Sequence, residues 1–246
     1  MWNDMRLALR IAHQAAEVAE RAFTAGDLDV RFKEDGSEVT STDLEVEDLV
    51  RLLLAEAVPE DGVVGEERPE RSGSSGRRWL VDPISGTADF VAGRPTYSVD
   101  LALEGALAVS AMPSLDITMA AGRGIGCRVF RGKQEEIARV SSRDTVDGAR
   151  VCLHGKRKPV LEQCVVVDGS TSVLDLITGR VDAVIAAGAG LDEFDLACLP
   201  VLVEEAGGRV TVVEEDVVLA TNGVLHDAFL ALLVARPGVE PGTPGL

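Results

Sequence analysis

The segment "VDPISGTADF" at residues 81–90 combines two carboxylates, Asp82 and Asp89, with a proline, a glycine and two hydroxyls. It follows on the apolar residues "WLV" at 79–81, so the sequence predicts a strand that ends at Asp82 and a turn after it. Mg²⁺ prefers carboxylate oxygens as ligands, and such a turn is typical of a metal site. Ser85, however, stands at the centre of the turn, where a second metal-facing carboxylate would be the natural choice.

The composition is that of a globular protein with an acidic surface. A chain of 246 residues suffices for one large domain or for two small lobes that share a core. Its aromatic share of only 4% predicts a core built mostly of Ala, Val and Leu. Because a net charge of −17 repels phosphate backbones, we expect no nucleic acid partner.

The sequence also argues against membrane insertion and disulfide bonding. It contains no apolar run of roughly 18 residues, the length that a spanning helix needs. The N-terminal segment has interspersed charges and no cleavage pattern, so we expect no signal peptide. The four cysteines, 127, 152, 164 and 198, form no CxxC pair, which favours reduced thiols in the cytoplasm.

Hydrophobic periodicity and turn residues predict the secondary structure. Helices are predicted over 3–24, 43–57 (capped by Ser41 or Thr42), 170–180, 192–208 and 223–235. Strands are predicted over 61–67, 78–82, 97–112, 117–130, 138–153, 181–187 and 209–213, with a hairpin turn at 122–126. The Gly/Ser-rich segment 68–78 is expected to be a mobile surface loop. The irregular alternation of helices and strands favours an α/β or α+β layered fold, with a soft boundary near 135–150 between lobes 1–140 and 141–246.

Acidic residues follow four of the predicted apolar runs: Asp43, Glu66 with Glu67, Asp82, and Asp195 with its neighbours Asp192 and Glu193. Acids at strand ends and helix starts can converge in a layered fold and form the oxygen cluster that a hard cation requires. A single acid in such a position is more often a solvated charge or a helix cap. The spacing alone therefore leaves their convergence open.

Four segments carry a more specific signal through their order along the chain. They are "KEDGSEVTSTD" (33–43), "GEE" (65–67), "WLVDPISGTADF" (79–90) and "FDLACLPVLVEEAGGRVT" (194–211). In this order they resemble the motifs of the inositol monophosphatase superfamily of Mg²⁺-dependent phosphatases. The segments "GSTSVLDLITGRVDA" (169–183) and "ATNGVLHDAFL" (220–230) add to the resemblance. The middle of the chain is most similar to the histidinol-phosphatase-like and general inositol-phosphatase-like branches.

The resemblance implies a fold and a metal site. The fold would be an α-β-α-β-α layered sandwich, usually a homodimer. Glu66 and Asp82 would bind a first Mg²⁺ together with the backbone carbonyl of Ile84. Asp82 and Asp195 would bind a second Mg²⁺, with Ser85 as a neutral ligand or as the holder of a ligand water.

The resemblance also implies catalytic and substrate-binding residues. Asp43 and Thr87 would position and deprotonate the attacking water, next to the metal ligand Glu66. The remaining residues expected to face the substrate are Ser85, Gly86, Thr87, Asp89, Gly169, Ser170 and Asp192. Paired metals suit this chemistry, because phosphoryl transfer needs charge neutralised on the phosphate oxygens and a nucleophile held in line.

The chain departs from the family pattern at the segment quoted first. Ser85 replaces the second Asp of the motif D-P-I-D-G-T, which is normally a ligand of the second metal. Asp89 replaces an Asn four residues later, in a direction that the sequence leaves open. We therefore expect weaker binding of the second metal. The Glu that often binds substrate hydroxyls in the family is also missing, and Asp192 or Glu193 could substitute for it.

Two functions follow from these observations. The first is a Mg²⁺-dependent phosphomonoesterase that acts on a small phosphorylated alcohol, such as a sugar, inositol, nucleoside or amino-alcohol phosphate. The second is a protein of the same fold with lost or altered hydrolysis, which binds a ligand or catalyses a different step on a phosphorylated substrate. They differ in whether phosphate is released.

Overall fold

The computed structural model describes residues 1–33, 36–155, 161–167, 169, 171–189, 191–214 and 217–234. The helices are α1 (Trp2–Ala25), α2 (Ser41–Ala57), α3 (Thr87–Val91), α4 (Ser172–Ile177), α5 (Leu199–Glu205) and α6 (His226–Val234). A short hairpin joins β1 (Val30–Phe32) to β2 (Glu38–Thr40). The basic segment 154–159 and the Pro/Gly-rich end of the chain lie largely or wholly outside the described residues.

The larger sheet has seven strands in sequential order. They are β3 (Gly62–Gly65), β4 (Arg78–Ser85), β5 (Ser98–Leu103), β6 (Leu107–Met112), β7 (Ile117–Gly122), β8 (Gly126–Arg131) and β9 (Gln134–Ile137). Strand β3 is parallel to β4, and every later neighbour is antiparallel. The "GRGIG" segment forms the β7–β8 turn, which confirms the predicted hairpin.

The smaller sheet has five strands in the order β11-β10-β12-β14-β13. Their bounds are β10 (Arg150–His154), β11 (Val165–Val167), β12 (Ala183–Ala187), β13 (Arg209–Glu214) and β14 (Val217–Thr221). Strand β14 lies between β12 and β13 and is antiparallel to both. The sequence analysis did not predict β11 or β14, because both are short apolar runs without a clear period.

The two sheets and their helices stack in five layers. Helices α1 and α2 pack on one face of the larger sheet, α4 and α5 fill the space between the sheets, and α6 packs on β14. Three apolar clusters fill the four interfaces between these layers, because the cluster around α4 and α5 reaches both sheets. The predicted α-β-α-β-α fold is confirmed. Among the described residues, no helix combines the length and apolar content that a membrane span requires.

Helix α5 starts later than the sequence predicted. The pattern predicted a helix over 192–208, but the regular helix begins at Leu199, with Pro200 in its first turn. Asp192 explains the delay: its Oδ1 accepts hydrogen bonds from the amides of Phe194 (2.8 Å) and Asp195 (3.1 Å), which holds the chain in a turn. Asp195 therefore lies in a turn before the helix.

The segment 68–78 is packed against the larger sheet, contrary to the expected mobile loop. Arg71 forms backbone hydrogen bonds with Val63 in both directions, at 2.8 and 2.9 Å. The amides of Ser74 and Ser75 both donate to the carbonyl of Glu60. A Gly/Ser-rich composition predicted freedom here, but these backbone contacts fix the segment beside β3.

His226 ties the start of α6 to the smaller sheet. Its side chain is buried; Nε2 lies 2.9 Å from Oγ1 of Thr211, and Nδ1 lies 3.0 Å from Oγ1 of Thr221. Burial lowers the pKa of His226, and the positive charge of Arg209 lowers it further. The folded protein therefore favours the neutral imidazole.

We expect this histidine to make stability depend on pH. Below its unfolded pKa of about 6.5 the unfolded chain binds the extra proton more readily, so the free energy of unfolding falls as the pH drops from 7.5 to 5.5. In His226→Gln, urea denaturation should show a weaker decline over this range. Parallel curves for the two proteins would contradict the assignment.

Candidate active site

The alternation of side chains along β4 and β5 positions an acidic pair between the two sheets. Trp79 and Val81 of β4 belong to the core under α1 and α2, as do Val99 and Leu101 of β5. Successive residues of a strand face opposite sides, so Asp82 and Asp100 face the space between the sheets. The two are direct cross-strand partners in the antiparallel register of β4 and β5.

Both acids of this pair have an oxygen without a hydrogen-bond partner. Oδ1 of Asp82 and Oδ1 of Asp100 are each shielded from solvent and receive no hydrogen bond. Burial raises the pKa of Asp82 well above its usual value, and the charges of Asp100, Glu66 and Asp195 raise it further. Burial raises the pKa of Asp100 to about 6. A bound cation would stabilise the ionised form of these groups, because burying a carboxylate without a partner costs free energy.

The turn after β4 turns the chain from the sheet into α3. The pairing with β5 is irregular between Asp82 and Ser85, and Gly86 follows in the left-handed conformation at φ 82°. Glycine has no Cβ, so it adopts this conformation without strain. Oγ1 of Thr87, in the first turn of α3, lies 2.9 Å from the carbonyl oxygen of Ile84 and 3.3 Å from Oδ1 of Asp43.

Asp43 is fixed by the cap of α2. Its Oδ2 accepts hydrogen bonds from the amide of Thr40 at 2.9 Å and from its hydroxyl at 2.6 Å, and Thr40 in turn caps the helix by accepting from the amide of Thr42. The expected cap at Ser41 or Thr42 is wrong, since Thr40 fills that position in a capping box. Burial raises the pKa of Asp43, although the bonds from Thr40 and Thr87 oppose this effect.

Lys33 bridges the two acids that follow β3. Its Nζ lies 2.5 Å from Oε1 of Glu66 and 2.6 Å from Oε1 of Glu67. Burial alone would lower the pKa of Lys33, but the two carboxylates raise it above its usual value. Burial raises the pKa of Glu67, and the ammonium of Lys33 opposes this shift.

Glu47 supports this acidic corner from α2. Its side chain is fully buried; Oε1 accepts from Nε of Arg51 at 2.6 Å, and Oε2 accepts from the amide of Glu67 at 2.7 Å. Gly65 makes room for it, because a Cβ at that position would lie 2.0 Å from Oε1 of Glu47. The small residue of the "GEE" motif thus allows a buried carboxylate to hold the backbone at Glu67.

Asp195 approaches the acidic pair from the turn before α5. Its Oδ2 accepts a hydrogen bond from the amide of Asp192 at 3.1 Å. Burial raises the pKa of Asp195, and the neighbouring charges of Asp192 and Glu66 add to the shift. The predicted site residue Asp192 is exposed and holds this turn through its Oδ1.

Asp89 lies at the rim of the site with partners of its own. It forms an ion pair of 2.5 Å with Arg94 and accepts a hydrogen bond of 2.6 Å from the hydroxyl of Thr96. Both partners lie in the loop between α3 and β5, so Asp89 braces that loop. Its carboxylate is thus already neutralised by Arg94.

A cavity of about 630 Å³ lies between the sheets and is lined by part of this site. Of the residues predicted from the sequence, the lining includes Ser85, Gly86, Asp89 and Asp195. Gly169 lies against Cys152, where a Cβ would be 2.4 Å from Sγ. Ser170 lies outside the described residues, but its neighbours Thr171 and Ser172 line the cavity.

The donor set fits a hard divalent cation. Carboxylates of Asp82, Asp195 and Glu66 act on one another electrostatically, and two buried carboxylate oxygens lack partners. Within the described ranges, no group of three or more Asp, Glu, His or Cys side chains is arranged so that it could hold a metal ion. In this arrangement Lys33 pairs with Glu66, and the amide of Asp192 donates to Asp195.

Three residues of the site escaped the sequence analysis: Lys33, Glu47 and Asp100. Lys33 is the first residue of the segment "KEDGSEVTSTD" (33–43), but the sequence analysis assigned it no role. Glu47 was hidden in the polar pattern of an amphipathic helix. Asp100 carried a usable signal, because an acid inside the apolar run "YSVDLAL" must be buried or functional once that run is a central strand.

A comparison with protein families decides the relationship. The model of the "Inositol monophosphatase family" matches residues 3–236, which is nearly the whole chain. The chain belongs to the inositol monophosphatase family. The resemblance carried by the ordered motifs is thereby confirmed, and the match includes every candidate site residue.

Individual relatives of this family give further detail. A histidinol-phosphatase of Mycobacterium tuberculosis is 35% identical over 95% of this chain and 98% of its own length. A Streptomyces griseus protein named glucose-1-phosphate thymidylyltransferase is 36% identical over 97% of this chain and 95% of its own length. The crystal structure of extragenic suppressor protein suhB from Bartonella henselae has a TM-score of 0.83 at 24% identity, and covers 96% of this chain and 100% of its own.

The contact between Gly65 and Glu47 gives a stability prediction. Gly65→Ala should lower the free energy of unfolding by about 1–3 kcal/mol, because the added methyl group displaces a buried carboxylate. Gly62→Ala in the same strand is the control, since the nearest atoms would lie 3.4 Å from its Cβ. Urea denaturation measures both variants, and equal losses would contradict the crowding argument.

Proposed function

We propose that the chain is a phosphomonoesterase that hydrolyses a small phosphorylated alcohol to the free alcohol and inorganic phosphate. The observation that carries this proposal is the contact between Thr87 and Asp43 beside the buried acid Asp82, with Asp195 nearby. A fixed hydroxyl–carboxylate pair can accept a proton from water, and an acidic cluster can bind the cation that phosphate chemistry uses. Family membership supports the same reaction class.

Mg²⁺ is the cation that the donor set favours. The ligands we assign are Glu66, Asp82 and Asp195, with the carbonyl oxygen of Ile84 and with Ser85 as a neutral donor or holder of water. All are oxygen ligands, which Mg²⁺ prefers, and it commonly binds through one or two carboxylates with water and phosphate oxygens. When bound, the ion supplies positive charge that neutralises the phosphate oxygens.

Thr87 and Asp43 are assigned to proton transfer. The Thr87 hydroxyl can take a proton from the attacking water at Oγ1 while it passes its own proton to Oδ1 of Asp43. The bonds from Thr40 hold the other oxygen of Asp43, so its orientation is fixed before substrate binds. Burial makes this carboxylate a stronger base than an exposed aspartate, because it raises the pKa.

The substrate is assigned to the cavity between the sheets. Gly86 and the amide of Thr87 lie at the start of α3, where the phosphate would be received. The rest of the molecule would contact the lining around Ser172, Leu191 and Asp195, and Asp192 lies next to this lining. A cavity of about 630 Å³ suits a small alcohol, and the names of the relatives point to amino-alcohol or sugar phosphates.

The oligomeric state and the cellular location remain predictions. We expect a homodimer, as the family resemblance implies, which size-exclusion chromatography with light scattering would measure. We also place the protein in the reducing cytoplasm, a proposal supported by four free cysteines.

The central prediction concerns phosphate release. The wild-type protein should release phosphate from at least one member of a panel of phosphomonoesters, with a dependence on added Mg²⁺. Asp82→Asn should lower kcat by about 10³-fold or more, since it removes the carboxylate shared by both proposed metal positions. A colorimetric phosphate assay across a Mg²⁺ titration measures this.

Two outcomes of that assay would count against the proposal. Full activity of Asp82→Asn would show that the metal assignment is wrong. If the wild type releases no phosphate at saturating Mg²⁺ while Ser85→Asp gains activity, the protein is a homologue with lost or altered hydrolysis.

The role of Asp43 has its own test. Asp43→Asn should lower kcat by about 10²–10⁴-fold with little change in KM, because it removes the proton acceptor and leaves the cavity intact. Asp48→Asn on the same helix is the matched control, since Asp48 is exposed and forms an ion pair with Arg68 at the surface. Equal loss in the two variants would show that α2 acts through stability alone.

A further inference from the structure

Asp100 is an acid to which the proposed function assigns no role. It lies in the middle of β5, directly across from Asp82, and lines the cavity together with Ser85 and Asp195. Like charges directly opposite one another on neighbouring strands destabilise a sheet. A positive charge beside a buried carboxylate pair therefore stabilises its ionised form.

The charged neighbours that act most strongly on this pair are acids. They are Asp100, Glu66 and Asp195 for Asp82, and Asp195 for Asp100. Lys33, the nearby cation of the site, pairs with Glu66 and Glu67. Since Oδ1 of Asp82 and Oδ1 of Asp100 both lack a hydrogen-bond partner, each is free to bind a cation from solution.

Asp100 lies on the same side of the sheet as the residue that lost its carboxylate. Ser85 pairs with Ser98 across the strands, and Ser98 and Asp100 face the same side because they are two residues apart. Asp89, the other acid that could have compensated for Ser85, is already neutralised by Arg94. Of the two candidate acids, Asp100 is the one that has a buried oxygen without a hydrogen-bond partner, and it lies directly across from Asp82.

We propose that Asp100 is a ligand of the second metal ion and supplies the carboxylate that Ser85 lacks. The ligand would thus have moved from the last residue of β4 to the middle of the neighbouring strand. The hydroxyls of Ser110 and Ser98, which hydrogen-bond to Asp100, would hold it as outer partners hold a metal ligand. This inference rests on the proposed metal-dependent function and adds a residue to it.

Direct metal binding tests the proposal without any substrate. Isothermal titration calorimetry with Mg²⁺ on the wild type and on Asp100→Asn should show an affinity loss of about tenfold or more at one site. Glu104→Gln, near the exposed end of the same strand, is the matched control and should bind as the wild type does. Unchanged affinity in a folded Asp100→Asn, checked by circular dichroism, would overturn the proposal.

Thermal melting separates a ligand from a structural residue. Without added metal, Asp100→Asn should melt at a higher temperature than the wild type, because one of two facing carboxylates is gone. Added Mg²⁺ should raise the melting temperature of the wild type by more than that of the variant. If Asp100 served only through its bonds to Ser98 and Ser110, the variant would melt lower than the wild type without metal, and added Mg²⁺ would raise both melting temperatures equally.

Ser85→Asp provides a test that leaves Asp100 in place. If Asp100 already fills the coordination position, the new carboxylate should raise Mg²⁺ affinity by less than about threefold, because it would meet an occupied position and add a like charge beside the other acids. A gain of tenfold or more would mean that the position was empty of a charged ligand, which would overturn the proposal. The double variant Ser85→Asp/Asp100→Ser should recover most of the affinity that Asp100→Ser loses.

The same measurements distinguish this proposal from the proposed function. Mg²⁺ binding that depends on Asp100, in a protein that releases no phosphate from the panel, would keep the ligand assignment and remove the hydrolase. If phosphate release depends on Mg²⁺ but Asp100→Asn binds Mg²⁺ as tightly as the wild type, the proposed function stands and the assignment of Asp100 as a ligand is wrong.

Discussion

The register between β4 and β5 is the constraint on which the site depends. A slip of one residue would turn Asp82 toward the apolar layer under α1 and α2, and would bring Trp79 or Val81 into the cavity. The fully buried Trp79, whose Nε1 donates to Asp61 at 2.9 Å, anchors the correct register at the far end of β4. The apolar face of the strand thus determines where its acidic residue lies.

The other parts of the site are brought to that strand by separate elements. Helix α2 carries Asp43 on its first turn, β3 ends just before Glu66, and the turn before α5 carries Asp195. Each is held by a local device: a capping box, a glycine against Glu47, and an Asx turn at Asp192. These three local interactions form within the protein itself, so they hold the acidic side chains in position before any ligand binds.

The sequence predicted much of this arrangement for identifiable reasons. Asp43, Glu66, Asp82 and Asp195 could be proposed as site residues because each lies in a short motif with a fixed order along the chain. The five-layer fold followed from the same motifs, and the hairpin at 122–126 followed from its glycines. These features are local in sequence, so a single chain is enough to recognise them.

What the sequence did not predict depends on contacts between distant segments. Asp100 faces Asp82 only through strand pairing, and no local pattern encodes which residue of a neighbouring strand will be opposite. Segment 68–78 has a loop-like composition, but its order comes from backbone bonds to β3. Helix α5 starts late because the Asp192 side chain competes for amides that a helix would have used, an effect that periodicity ignores.

The bridge from Lys33 to Glu66 and Glu67 has a consequence for how the acidic site responds to ions. An ammonium group attached to the same chain is present at a high effective concentration and cannot be diluted away. Any divalent cation that binds Glu66 must therefore displace an internal competitor, so its apparent affinity reflects an exchange between two cations. Lys33 directly follows β1 in the hairpin β1–β2. The conformation of this hairpin would thereby be coupled energetically to cation binding at Glu66, 33 residues further along the chain.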